Sequence, residues 1–128
     1  MMPGLVLDTD VLIDFLRGQV EAVGYLESVS DELLTSVVTV AELFAGVREG
    51  EERRILEELL EEFRVVPVTR EVAELGGLHR RDYRKSHNIQ LADALIAATV
   101  EREQATLVTL NDKHFPMLKQ VVVPYRKA

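Results

Sequence analysis

Five short apolar runs recur along this chain: "GLVL", "LLTSVV" from Leu33, "RVVPV", "ATLVTL" and "QVVVPY". Between them lie stretches with helical character. "EERRILEELLEEF" is the clearest, setting Ile55, Leu56, Leu59, Leu60 and Phe63 on one face. Strands that alternate with helices from end to end predict an α/β fold in three layers, a parallel sheet with helices on both faces. No repeat, linker or low-complexity stretch divides the sequence, so residues 1–128 are expected to form a single domain. In sheets of this kind ligands sit beyond the carboxyl ends of the strands. That rule directs attention to the residues that follow each apolar run.

Local signals refine the elements. Asp10 is placed to cap a first helix, "DVLIDFLRG", and Gly18 to stop it. "VEAVGYLESV" reads as a second helix. "TVAELFAGVREG" reads as a third, ending at Gly50. Pro67 cannot donate a ladder hydrogen bond, so the strand before it belongs at a sheet edge. "TREVAELGGLHRRDYRKSH" predicts a helix weakened by Gly76 and Gly77. "IQLADALIAATVEREQ" predicts the last helix.

The absence of cysteine excludes disulfides, thiolate metal sites and cysteine nucleophiles. A net charge of −7 argues against a general nucleic-acid coat protein, but not against a nuclease, whose metal-binding acids are themselves negative. No apolar run approaches the roughly 20 residues of a membrane span, and no secretory signal is evident. A cytoplasmic location is expected, without membrane contact.

Four carboxylates stand where sites form. Asp8 ends the first apolar run, and Asp10 already suits the capping role. Asp93 lies in "LADALIAA", apolar nearly all round and therefore a buried helix, where an ionised carboxylate costs several kcal/mol unless paired or bound to a metal. Glu42 has a structural alternative, because Thr39-Val40-Ala41-Glu42 matches a capping box. Asp112 follows a strand in "LNDKHF" and alone is a turn residue. Asp14 reads as an exposed helix residue, His79 and His87 as solvated surface, and His114 as a packing or turn residue. A carboxylate set with no cysteine and no histidine pair suits a hard cation, Mg²⁺ or Mn²⁺. Such ions serve phosphoryl chemistry by stabilising phosphate charge and activating water. No phosphate loop of Walker type is present.

The segments "LVLDTDVLIDFLRG", "TSVVTVAELFAGV", "LADALIAATV" and "TLVTLNDKHF" together resemble the signatures of PIN-domain ribonucleases, specifically VapC-type toxins of toxin–antitoxin pairs. They occur in the family's order and span nearly the whole chain. The resemblance implies a sheet in the order 3-2-1-4-5 and Mg²⁺-dependent endonucleolytic hydrolysis of RNA by metal-activated water. It implies catalytic roles for Asp8, Glu42, Asp93 and Asp112, with Asp8, Asp93 and Asp112 binding metal and Thr9, Thr109 and Asn111 in support. Asn111 and Asp112 compete for the family's fourth position. The resemblance further implies a cognate antitoxin, a homodimer and a basic substrate path, for which Arg80, Arg81, Arg84 and Lys85 are candidates. Two alternatives stay open. Asp8-Thr9-Asp10 after a strand imitates the nucleophile motif of haloacid dehalogenase-like phosphatases, which form an aspartyl phosphate. A PIN module that binds RNA or protein without cleaving is the other.

Overall fold

The computed structural model describes residues 4–126. Along the chain run β1 (Leu5–Leu7), α1 (Thr9–Leu16), α2 (Val20–Ser28), β2 (Leu33–Ser36), α3 (Val37–Gly46), α4 (Glu51–Glu61), β3 (Arg64–Val66), α5 (Arg70–His87), α6 (Leu91–Glu103), β4 (Thr106–Val108) and β5 (Val121–Val122). A short 3-10 turn, Asp112–His114, separates the last two strands. The strands form one sheet in the order β3-β2-β1-β4-β5, and every neighbouring pair is parallel. The expected order and layering are observed. Pro67 follows β3, which is an edge strand as its sequence requires.

Both faces of the sheet are buried, and the pleat divides its residues between them. In β1, Val6 enters a core with Leu34, Ile96, Ala97, Leu107 and Phe115. Leu5 and Leu7 point the other way, into a core with Val11, Leu12, Leu43, Leu56 and Val108. Side chains alternate across a strand, so a strand covered on both sides reads as an unbroken apolar run. This is why "LVL" and "TLV" show no polar alternation.

Helix α6 lies under α5, and its residues Ala94, Ile96, Ala97, Ala98, Thr99 and Val100 are all buried. Helix α5 runs unbroken for 18 residues through Gly76 and Gly77. A Cβ on Gly76 would stand 2.7 Å from Leu95 Cδ2 and 3.2 Å from Leu95 Cα, so the missing side chain is what lets α5 seat on α6. The cost of glycine within a helix is offset there by that close packing. Gly18, with φ of 72°, follows α1 as its sequence predicts.

Three local expectations are corrected. The N-cap of α1 is Asp8, whose carboxylate accepts from the Thr9 amide; Asp10 already lies within the helix. Strand β2 stops at Ser36, whose hydroxyl accepts from the Val38 amide and starts α3 earlier than a cap at Thr39 would. Thr39 is thus inside the helix and the capping box does not form. Helix α3 then ends at Gly46, while Gly50 sits at the N-cap of α4.

Candidate active site

A cleft of about 240 Å³ opens at the carboxyl end of the sheet, lined by Asp8, Thr9, Asp10, Glu42, Asp93, Asn111 and His114 among others. Four stretches meet there: the end of β1 with the start of α1, the middle of α3, the first turn of α6 and the segment after β4. A larger hollow of about 400 Å³, lined by Val100, Ala105, Met117 and Leu118 among others, lies beside the opposite end of β4 and gathers no such set of acids.

Asp8 is the best-anchored of these groups. Its Oδ1 accepts from the Thr9 amide at 2.8 Å, and its Oδ2 accepts from the Thr109 hydroxyl at 2.7 Å. It is only 6% exposed. Burial, followed by the nearby negative charge of Asp10, raises its pKa to about 7 against the two hydrogen bonds. Asp93 contributes further repulsion. Asp10 accepts from the Val11 amide at 2.7 Å and from the Leu110 amide at 3.1 Å, so its carboxylate fastens the start of α1 to the end of β4. Burial raises its pKa too. Both of its oxygens thus accept from backbone amides.

Glu42 reaches the cleft from α3. Its Oε1 accepts from the Thr9 hydroxyl at 2.6 Å, and the Thr9 and Thr39 hydroxyls lie 3.1 Å apart. The residue assigned to a capping box by sequence pattern instead bridges α3 to α1. Asp93, in the first turn of α6, has its pKa raised by burial, with His114 opposing that shift. His114 Nδ1 lies 3.2 Å from Asp93 Oδ2 and 3.1 Å from Asn111 Nδ2. With a proton on Nδ1 the ring donates to the carboxylate; with the lone pair there it accepts from the amide. The two arrangements exclude each other at that nitrogen.

Thr109 ties the segment together. It donates to Asp8 and accepts from the Asn111 amide at 3.1 Å, which turns Asn111 towards the acids. Asn111 lines the cleft and Asp112 does not. The Asp112 carboxylate lies 3.8 Å from Arg126 Nη2 instead. Asp14, expected on the surface, is 5% exposed and accepts from the Tyr125 hydroxyl at 2.8 Å. His79, also expected on the surface, has a side chain only 13% exposed, beside Glu101 and Tyr83. His114 is the cleft residue that sequence reasoning misses. Its only signal is its place in the turn after β4.

Among the described residues, no three Asp, Glu or His side chains are gathered closely enough to hold a metal ion unaided. The donors nevertheless fit a hard divalent cation of the Mg²⁺ kind, which takes one or two carboxylates and retains several waters. Burial first and like charges second raise the Asp8 pKa, and a cation beside it offsets both.

The PIN domain family matches residues 5–120. The chain belongs to that family. As a PIN domain it is 45% identical over 124 residues to Ribonuclease VapC10 of Mycobacterium tuberculosis, covering 94% of this chain and 92% of that protein. It is 38% identical to Ribonuclease VapC19 of the same species, covering 94% and 98%. Among solved structures, a toxin–antitoxin complex from Klebsiella pneumoniae superposes with a TM-score of 0.83 at 28% identity, covering 96% of this chain and 99% of that one. The PIN assignment accounts for the order of the strands.

Proposed function

We propose that this PIN domain is a Mg²⁺-dependent endoribonuclease acting as the toxin of a toxin–antitoxin pair. The observation that carries the proposal is the meeting of Asp8, Glu42, Asp93 and Asn111 in one cleft of a chain so similar to Ribonuclease VapC10. Asp8 and Asp93 hold the cation, with Asn111 rather than Asp112 as the fourth group, because Asn111 lines the cleft. A divalent cation bound there neutralises phosphate charge and makes water more acidic. Mn²⁺ can substitute for Mg²⁺, sharing its preference for oxygen ligands. Glu42 is held by Thr9 through Oε1, which leaves Oε2 to orient water and accept its proton. His114 Nδ1 steadies either the Asp93 carboxylate, when it carries the proton, or the Asn111 side-chain amide, when it does not. RNA is the substrate, and the partners are an antitoxin and a second copy of the chain.

The test is cleavage of a structured RNA by purified protein. Mg²⁺ or Mn²⁺ is expected to support it, EDTA to stop it, and Asp93→Asn to abolish it. Cleavage that persists undiminished after verified removal of metal would sink the mechanism. No cleavage of any RNA by well-folded, metal-loaded protein would sink the activity.

A further inference from the structure

We propose that a notch on α5, floored by Gly77 and walled by Arg80, Arg81 and Arg84, binds a backbone phosphate of the RNA strand outside the catalytic cleft. The notch is an open hollow of about 300 Å³. Its residues are spaced three, four and seven positions apart, so they share one helix face.

Three observations carry the inference. The first is charge. Eight of the eleven arginines, Arg81 among them, have a carboxylate within 4 Å. Among the described residues Arg80 and Arg84 have none, although the chain carries 22 acidic residues against 15 basic ones. The second is preorganisation. Arg80 Nε donates to the Ile89 carbonyl at 2.8 Å, which fixes the guanidinium and leaves Nη1 and Nη2 for a ligand. The planar fork of arginine suits phosphate oxygens. The third is Gly77 itself. Unlike Gly76, it meets nothing within 4 Å where a Cβ would stand. Packing does not require glycine there, yet a mid-helix glycine is unfavourable. Its small size keeps the notch open.

Position favours RNA over an acidic peptide. Ile89, which anchors Arg80, is four residues before Asp93 in the cleft. Four residues of chain span at most roughly 14 Å. A nucleic-acid strand advances about 3.4 Å per nucleotide when stacked, so the notch lies within a few nucleotides of the scissile bond. The inference rests on the ribonuclease reading above.

Gly77→Glu tests it. The substitution fills open space with a carboxylate that pairs with Arg80 and Arg81, so the fold is expected to survive. Gly77→Ala serves as the folding control and should raise Tm by about 2–5 °C. In EDTA, the affinity of Gly77→Glu for a 12-nucleotide single-stranded RNA should fall about tenfold against the parent. Its log–log salt dependence should be shallower by about 0.7 for each phosphate that the variant no longer neutralises. With Mg²⁺, cleavage of that RNA should show a raised KM at an unchanged kcat. Parental affinity and salt slope in Gly77→Glu, with RNA cleavage intact in both proteins, overturn the notch while the ribonuclease reading stands. A parent that neither binds nor cleaves RNA overturns both. Loss of binding to an acidic peptide, with RNA binding unaltered, overturns the phosphate assignment in favour of a protein partner.

Discussion

A carboxyl group as buried as that of Asp8 keeps its proton longer in the folded chain than in the unfolded one. Between its ordinary value of 3.8 and its folded value of about 7, the folded state binds a proton that the unfolded state has released. Stability of the metal-free protein therefore falls as pH rises through that window, and levels off above it. At roughly 1.4 kcal/mol per unit of separation, the penalty at pH 8 is on the order of a few kcal/mol. Urea melts in EDTA should show lower stability at pH 8 than at pH 5.5. Asp8→Asn should flatten the slope and raise stability at pH 8 by about 1–2 kcal/mol while abolishing cleavage. Greater stability of the parent at pH 8 would count against the burial of this charge.

The same residues show what sequence can reveal. Asp8 and Asp93 are legible because each interrupts an apolar context that tolerates no unpaired charge. Glu42 is ambiguous because its motif equally describes a helix start, and the choice turns on Ser36 capping α3 earlier. Asp14 is misread because its hydroxyl partner, Tyr125, is 111 residues away. Asn111 and Asp112 are neighbours in a turn, and contacts that no local pattern encodes distinguish them: Thr109 and His114 hold Asn111, and Arg126 lies beside Asp112. A lone histidine carries no periodic signal, so His114 escapes notice.

Among the helices, α5 carries two adjacent glycines with opposite consequences. Gly76→Ala gains helix propensity but drives a Cβ to within 3.2 Å of the Leu95 backbone and nearer still to its side chain. Either α5 lifts away from α6 or Leu95 shifts. A net loss of about 1–3 kcal/mol is expected from such overpacking. Because α6 carries Asp93, metal affinity should weaken as well. Calorimetric titration of Mg²⁺ and a denaturant melt check both effects. A stabilised Gly76→Ala variant would show that the helices are not held at this distance. The sequence locates α5 and α6 correctly, because their length and pattern are local properties. It does not say which glycine faces a neighbour, since that depends on how the two helices are rotated against each other.

Metal and the fold as a unit are coupled through the acids. A ligand that binds only the native state adds stability by mass action. Excess Mg²⁺ should raise the Tm of the parent at pH 8 by several degrees, and less at pH 5.5, where a proton on Asp8 competes. In Asp93→Asn the metal-free fold should be more stable by on the order of 1 kcal/mol, and the response to Mg²⁺ should be small. Asp93 faces His114 rather than a buried arginine, so removing its charge strands no fixed cation. A large loss of stability in metal-free Asp93→Asn would contradict that arrangement.

The two borders of the sheet decide how this chain can polymerise. An unpaired strand edge is a template for another chain, and proteins blunt it with charge, proline or brevity. On one side β3 has only three residues, begins at Arg64, which pairs with Glu32 and Glu103, and is followed by Pro67. On the other, β5 has two residues and Pro124 comes soon after. Neither border offers a run long enough to recruit a sixth strand. Copies of the chain are therefore expected to join through helical faces and to resist templated growth into fibrils. Hydrogen exchange across an assembled sample should slow in the helices and leave the amides of β3 and β5 as they are in the isolated chain.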